Sequence, residues 1–207
     1  MDDSALLLLL LNFIFIGALP RLFFRSDGTF NLKWWLTAAP FFLCPLYVAA
    51  ALAVGWQPFV SGSLLTGLTL VAVLLSVGSI ALIFMTLGTH RIPLALWHQE
   101  NDAPRHIVTY GAYRRIRHPF YSSFLLAFLA SLFAFPHWGT LVFAVYGVVS
   151  LNTTAAREER RLSSSEFGAE YRGYITQTGR FFPRLGRIPA AAQAAQPVEN
   201  AAQVIER

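Results

Sequence analysis

Three long stretches of the chain carry no Asp, Glu, Lys or Arg. They run over residues 4–20, 34–89 and 119–156, which are 17, 56 and 38 residues long. Together they leave 111 residues without a formal charge, so all 27 charged side chains fall in the other 96. A soluble domain needs a solvated face on most of its helices, and 56 consecutive uncharged residues cannot supply one. The pattern excludes an ordinary soluble domain and predicts apolar helices in a membrane.

These stretches divide into five candidate transmembrane helices, because about 20 apolar residues span hydrocarbon about 30 Å thick. Residues 5–24 fit one helix. Turn-forming residues at 55–63 divide the second stretch into helices near 34–54 and 64–88. Residues 136–139 break the third stretch into two helices, for which we expect a tight helical hairpin.

Basic residues orient these helices, since Lys and Arg concentrate in cytoplasmic loops. The loops at residues 55–63 and 136–139 contain none. Basic residues occur between helices one and two, between three and four and after five: Arg21, Arg25, Lys33, Arg91, Arg105, Arg114, Arg115, Arg117, Arg157, Arg160 and Arg161. The sequence therefore predicts a multi-pass integral membrane protein whose N-terminus lies outside and whose C-terminal part lies in the cytoplasm.

Beyond the fifth helix the hydrophobic pattern becomes amphipathic. Apolar and aromatic residues recur there at helical spacing, at Phe167, Tyr171, Tyr174 and Ile175. This predicts a cytoplasmic helix at the membrane interface or under the bundle. We expect an all-α fold in three parts: three transmembrane helices in residues 1–89, a loop, the hairpin and the amphipathic helix in residues 90–187, and a flexible tail in residues 188–207.

Composition narrows the expected partners. The net charge of +5 could suggest nucleic acid, but Arg-rich loops beside apolar helices indicate membrane orientation and anionic lipids. Membrane lipids are therefore the expected partners, and nucleic acid is not. The single cysteine, Cys44, lies in an apolar stretch, where we expect a buried side chain without a disulfide. The five histidines lack a zinc-site spacing such as HExxH, so no metal is expected.

Two polar clusters lie where the cytoplasm would meet the bilayer. The first, residues 106–121, leads into helix four, and the second, residues 157–159, leaves helix five. Pro119 at the first turn of a helix costs no hydrogen bond, so Arg117 and His118 are expected just before helix four. Because the two helices form a hairpin, both clusters must be neighbours in space. Arg114 and Arg115 are explained more simply as topology determinants.

The sequence also resembles a known enzyme family, the isoprenylcysteine carboxyl methyltransferases. The resemblance covers about residues 98–184 and rests on motifs that occur in the family's order and at close to the family's spacing: Gly111-Ala112-Tyr113, Arg117-His118-Pro119-x-Tyr121, Glu158-Glu159, Phe167-Gly168-x-Glu170-Tyr171-x-x-Tyr174, Gly179-Arg180 and Pro183. The broader superfamily includes phospholipid N-methyltransferases. The resemblance implies an integral membrane methyltransferase that uses S-adenosyl-L-methionine.

The resemblance implies that the cofactor is held between the loop before the hairpin and the segment after it. The implied cofactor-binding residues are Gln99, His106, Ile107, Val108, Tyr113, His118, Pro119, Phe120, Tyr121 and Glu159. In eukaryotic members an Arg about four residues before the cofactor-contacting Glu binds the substrate carboxylate, and that position is Ala155 here. Arg157 is the expected substitute, and Arg117 or Arg157 is expected to hold an acceptor or cofactor carboxylate.

The expected acceptor is lipophilic and reaches the site through the bilayer. Prenylated protein tails, isoprenoid thiols or acids and ethanolamine lipids all fit, by O-, N- or S-methylation. The chemical drive of methyl transfer lies in the cofactor, so the protein needs to align the reactants and exclude water. Two alternatives stay open: a membrane NADPH-dependent sterol or enone reductase, and a non-enzymatic membrane scaffold whose basic loops bind anionic lipid.

Overall fold

The part of the chain described by the structure, a computed structural model, is all-helical. It comprises residues 3–17, 28–30, 32–89 and 107–184. Its helices are α1 (Asp3–Gly17), α2 (Leu32–Val54), α3 (Gly62–Thr89), α4 (Pro119–Ala134), α5 (Trp138–Ser163) and α6 (Gly168–Gln177), and a 3₁₀ turn at Gly111–Arg114 precedes α4. The predicted all-α class is confirmed for this part of the chain.

Helix α4 lies at the centre of the bundle and packs against α1, α2, α3 and α5. Its Phe124 and Phe128 are each 1% exposed. The ring of Phe41 on α2 packs on both, at centroid distances of 5.0 and 4.7 Å, and Phe13 on α1 packs on Phe128 at 6.1 Å. Cys44 belongs to the same buried core, as expected from its apolar surroundings.

Helices α4 and α5 run antiparallel and are joined by three residues, 135–137. Close packing at Gly147 brings them together, since a Cβ there would lie 2.5 Å from Cδ2 of the Phe128 ring. The break between the helices falls where the sequence predicts it. Helix α5 continues past residue 156, where the charge-free stretch ends, to Ser163. The predicted exit cluster is therefore part of the helix.

Two of the five predicted membrane crossings correspond to helices of sufficient length and apolar composition. Helices Gly62–Thr89 and Trp138–Ser163 are long and apolar enough to cross a membrane. Three shorter apolar helices occur at Ser4–Ile16, Ala39–Val54 and Pro119–Ala134. The predicted first crossing covers residues 5–24, of which the structure describes residues 5–17. Residues 18–24 lie outside the described residues. Five crossings therefore stay a prediction.

The predicted amphipathic helix is α6, which packs against α5. Tyr171 and Tyr174 are buried, whereas Arg172 and Gly173 between them are exposed. Helix α6 places the following segment, residues 178–184, across the start of α4.

Candidate functional site

The chain just before α4 pairs with the segment that follows α6. Gly179 donates its backbone N–H to the carbonyl of Arg115 at 3.0 Å. In return, the N–H groups of Arg117 and His118 donate to the carbonyls of Gly179 and Arg180 at 2.9 and 3.1 Å. These bonds form an isolated parallel bridge. They fix the two residues before α4 and the C-terminal segment in one rigid unit.

Helix α4 begins at Pro119, as the sequence predicts. His118 is the N-cap residue, with φ −125° and ψ 64°, and its side chain makes no capping hydrogen bond. Proline at the first helical position leaves no N–H unsatisfied, so this helix start costs little. The imidazole is therefore free to contact groups outside the helix.

Glu159 near the end of α5 joins the two predicted clusters. Its Oε1 accepts hydrogen bonds from Arg117 Nε at 2.9 Å and Arg180 Nε at 3.1 Å, and its Oε2 accepts one from Arg180 Nη2 at 2.6 Å. The side chain is only 9% exposed. Burial opposes its ionisation, but the nearby His118 and the hydrogen bonds from Arg180 and Arg117 outweigh burial and hold the pKa of Glu159 well below its usual range. The carboxyl group of Glu159 therefore favours its ionised form.

Arg117 ties this carboxylate to the end of α6. Its Nη1 donates to the carbonyl of Ile175 at 3.2 Å and to the carbonyl of Thr178. The last carbonyls of a helix lack intrahelical partners, so a buried guanidinium satisfies them well. The side chain of Arg117 is 9% exposed. The Nε and Nη1 groups of Arg117 therefore donate their hydrogen bonds to other groups of the protein.

His118 lies between the two carboxylates of α5. Its Nδ1 is 3.5 Å from Glu158 Oε2, and its Nε2 is 3.3 Å from Glu159 Oε1. The second contact does not have hydrogen-bond geometry, and Nε2 is a buried polar atom without a hydrogen bond in the described part of the chain. The ring stacks on Tyr121 at 5.3 Å with an interplanar angle of 5°.

Glu158 differs from its neighbour in both exposure and partners. Its side chain is 37% exposed, and Oε1 accepts a hydrogen bond from the Tyr121 hydroxyl at 2.6 Å. Burial raises the pKa of Glu158, against the opposing effects of the Tyr121 hydrogen bond and of nearby His118. The two adjacent carboxylates therefore differ: one is locked in ion pairs, and the other is accessible and more readily protonated.

Tyr113 in the 3₁₀ turn lies beside this pair. Its carbonyl accepts a hydrogen bond from the Tyr174 hydroxyl at 2.6 Å. Burial raises the pKa of Tyr113, and the nearby Tyr174 and Glu158 raise it further, so the phenol stays neutral. Gly111 at the start of the turn has φ +60°, which L side chains rarely adopt. A Cβ there would also lie 2.2 Å from Thr89 Oγ1, so the turn packs tightly on the end of α3.

The structure brings several predicted site residues together. Arg117, His118, Tyr121 and Glu159 meet at one end of the α4–α5 pair, with Tyr113 close by. The remaining predicted residues divide by location. Pro119 and Phe120 are buried, Phe120 in the hydrophobic core, Ile107 and Val108 are half-buried before the turn, and Gln99 and His106 lie outside the described residues.

Arg157 does not join this cluster. It is exposed on α5, whereas Ala155 and Glu159 are buried on the opposite face of the helix. Successive helical residues are rotated by about 100°, so residues 157 and 159 point about 200° apart. The expected role of Arg157 as a substitute at the family's Arg position therefore finds no support in its placement.

Arg180 is a further member of the cluster that the sequence did not predict. Its guanidinium bridges Glu159 and, through Nη1, Asn152 Oδ1 at 2.7 Å. The available signal was an isolated Arg next to Gly179 in the quoted motif, followed by two aromatic residues. Its partner could not be read from the sequence, because the contact depends on the path of the chain after α6.

Comparison with known proteins adds no relative. Searches against models of protein families, curated protein sequences and solved structures found no match to this chain. The resemblance over residues 98–184 therefore stays a prediction that depends on the motifs themselves. The described site offers two carboxylates, two guanidinium groups, an imidazole and two phenols at one end of an all-helical bundle.

Proposed function

We propose that the protein is an integral membrane methyltransferase that uses S-adenosyl-L-methionine and acts on a lipophilic acceptor. The observation that carries the proposal is the meeting of the two polar clusters, with His118 3.3 Å from Glu159 and Arg117 2.9 Å from the same carboxylate. Polar groups of this kind are expensive beside a bilayer and are typical of functional sites there.

The proposal includes five membrane crossings with the site on the cytoplasmic side. Support comes from the charge-free stretches and from the one-sided distribution of basic residues. Helix α4, at 16 residues, is short for a crossing. Its neighbours bury it on nearly every side, so its length need not match the hydrocarbon thickness.

The chemistry of the described residues fits the cofactor. A carboxylate such as Glu159 accepts hydrogen bonds from ribose hydroxyls or an ammonium group, and the aromatic faces of Tyr113 and Tyr121 favour a sulfonium cation. Within residues 107–184 and the other described ranges, His118 Nε2 is a buried polar atom without a hydrogen bond, and a ligand would supply its partner. We propose that these four residues, Glu159, Tyr113, Tyr121 and His118, hold the cofactor.

When bound, S-adenosylmethionine supplies an activated methyl group on a positively charged sulfur. The residues of this chain bind the cofactor and the acceptor, orient them and exclude water. The ion pairs of Glu159 fix Arg117, Arg180 and His118 relative to one another, which keeps the site in one geometry. Such positioning is the main contribution a protein makes to a displacement of this type.

The proposed acceptor enters laterally from the bilayer. Helix α5 exposes Val142, Val145, Val148 and Val149, which give an apolar chain a surface to lie against on the outside of the bundle. A prenylated protein tail, an isoprenoid thiol or acid and an ethanolamine lipid all carry such a chain.

The test is equilibrium binding to the full chain purified in detergent. Isothermal titration should show one S-adenosylmethionine bound per chain and no NADPH. His118→Ala should weaken binding at least tenfold, and the exposed Arg160→Gln should leave it unchanged. Binding of NADPH alone would favour a reductase, and absence of both would favour a lipid-binding scaffold.

Membranes that contain the protein should then transfer the methyl group of labelled S-adenosylmethionine to the lipid fraction. Chromatography of that fraction identifies the acceptor. Label that stays entirely in the aqueous fraction would contradict a lipophilic acceptor.

A further inference from the structure

His118 lies between two carboxylates, with one ring nitrogen close to each. Its Nδ1 lies 3.5 Å from Glu158 Oε2 and its Nε2 lies 3.3 Å from Glu159 Oε1. A neutral imidazole carries a proton on one nitrogen only. The other nitrogen then carries a lone pair and can accept a proton. The three groups therefore form a site at which a proton can be exchanged.

Of the two carboxylates, only Glu158 is placed to exchange that proton with a ligand. Glu159 is 9% exposed and neutralised by Arg117 and Arg180. Glu158 is 37% exposed, and within the described ranges no arginine lies at ion-pair distance from it. A proton acceptor must be reachable and must not be locked in a permanent ion pair.

The groups that face Glu158 come from three elements. Tyr121 of α4 donates a hydrogen bond to it, and Tyr113 of the 3₁₀ turn lies close enough to interact electrostatically. His118 faces it from the start of α4, while Glu159 and Arg161 act on it from its own helix. Burial raises the pKa of Glu158 most, and the hydrogen bond and positive charges oppose this effect. Its protonation therefore falls closer to neutral pH than that of an ordinary glutamate.

We propose that Glu158 is the proton acceptor of the site, that His118 positions it, and that the methyl acceptor is a nucleophile carrying an exchangeable proton: a thiol, a hydroxyl or a protonated amine. This inference rests on the proposed methyltransferase function. It narrows the acceptor, because a carboxylate acceptor has no proton to lose and would be repelled by the charge of Glu158.

The step balances with the groups named. The acceptor X–H bond breaks and its proton passes to Glu158 Oε2, while X forms a bond to the methyl carbon. The bond between that carbon and sulfur breaks, and its electron pair stays on sulfur as a neutral thioether. The proton then leaves through the exposed side of Glu158 to water.

The test uses three model acceptors with the same twelve-carbon chain: dodecanethiol, dodecylamine and dodecanoate, each with the full chain in lipid vesicles. We expect the wild type to methylate the thiol or the amine and not the carboxylate. Glu158→Gln should lower that rate at least 100-fold, within the usual range for loss of a general base. Glu158→Asp should restore part of the rate, and the exposed Glu166→Gln should not change it.

Three measurements separate this inference from the proposed function. Titration calorimetry with S-adenosylmethionine should give affinities for Glu158→Gln and wild type that agree within about threefold. In ¹³C NMR of protein labelled at glutamate carboxyl carbons, one resonance should titrate above the usual range, disappear in Glu158→Gln and shift in His118→Gln. The wild-type methylation rate should fall with decreasing pH over the same range.

Methylation of dodecanoate alone, methylation of none of the three acceptors, or an equal rate in Glu158→Gln would overturn the inference while cofactor binding still stands. A Glu158 resonance that does not respond to His118→Gln would also contradict the proposal that His118 positions Glu158. Absence of cofactor binding in the wild type would instead overturn the proposed function, and this inference with it.

Discussion

Arg180 holds Glu159 through two parallel hydrogen bonds, Nε to Oε1 at 3.1 Å and Nη2 to Oε2 at 2.6 Å. This bidentate pair joins the segment after α6 to the end of α5. Bidentate guanidinium–carboxylate pairs fix geometry as well as contributing energy. Together with the backbone pairing of residues 115–118 with residues 179–180, the pair closes the C-terminal segment onto the start of α4.

Removing this pair should destabilise the folded protein. Arg180→Gln loses charge-assisted hydrogen bonds to a buried carboxylate, which costs about 1.5 kcal/mol. The apparent Tm in detergent should fall by about 5 °C for a chain of this size. Arg160→Gln, which removes an exposed arginine from α5, should change Tm by less than about 1 °C. Equal Tm values for the two variants would contradict a structural role of the Arg180–Glu159 pair.

The stability of the protein should fall in acid because of Glu159. Its folded-state pKa lies below the unfolded value, so its ion pairs stabilise the folded state fully above the unfolded pKa of about 4.3. That stability is lost as the pH falls from there through the folded-state pKa. Denaturation measured between pH 6 and pH 3 should show this slope in the wild type. In Glu159→Gln the stability should be lower at pH 6 and the slope shallower, whereas equal slopes would exclude Glu159 as its source.

Gly111 should resist substitution for two separable reasons. Alanine at φ +60° costs about 1 to 2 kcal/mol, and its Cβ would lie 2.2 Å from Thr89 Oγ1. Gly111→Ala should therefore destabilise the protein, and adding Thr89→Ala should recover the part caused by the clash. A double-mutant cycle with Thr89→Ala alone measures that part. Strictly additive effects would show that the 3₁₀ turn does not pack on α3 in this way.

The proposed topology can be tested by cysteine labelling. Cys44 is fully buried, so a membrane-impermeant maleimide should not reach it in the folded protein. Gln57→Cys and Ser61→Cys should react in intact cells. Ser164→Cys and Glu170→Cys should react only after the membrane is permeabilised. Labelling of both pairs from outside would contradict five crossings with an external N-terminus.

Most of the helices could be predicted from the sequence, since long uncharged stretches and turn residues determine them. The start of α4 at Pro119 follows from local chemistry, because proline is tolerated at the first helical position and not in the middle of a helix. The extension of α5 to Ser163 could not be predicted from the charge pattern, since Arg157–Arg161 mark the end of the apolar stretch and not of the helix.

Part of the candidate site could also be predicted from the sequence. The meeting of His118 with Glu159 follows from antiparallel helices joined by a short turn. The separation of Arg157 from Glu159 follows from helix geometry, because residues two apart in a helix face nearly opposite directions. The contacts of Arg180 with Glu159 and Asn152 could not, since they depend on how residues 178–184 cross the start of α4.

The most direct test of the account is an experimental structure of the full chain in lipid nanodiscs with S-adenosylhomocysteine. We predict that the ligand contacts His118 and Glu159, with its sulfur beside the aromatic rings of Tyr113 or Tyr121. A structure at saturating ligand in which these residues lie apart, or in which the ligand binds elsewhere, would contradict it.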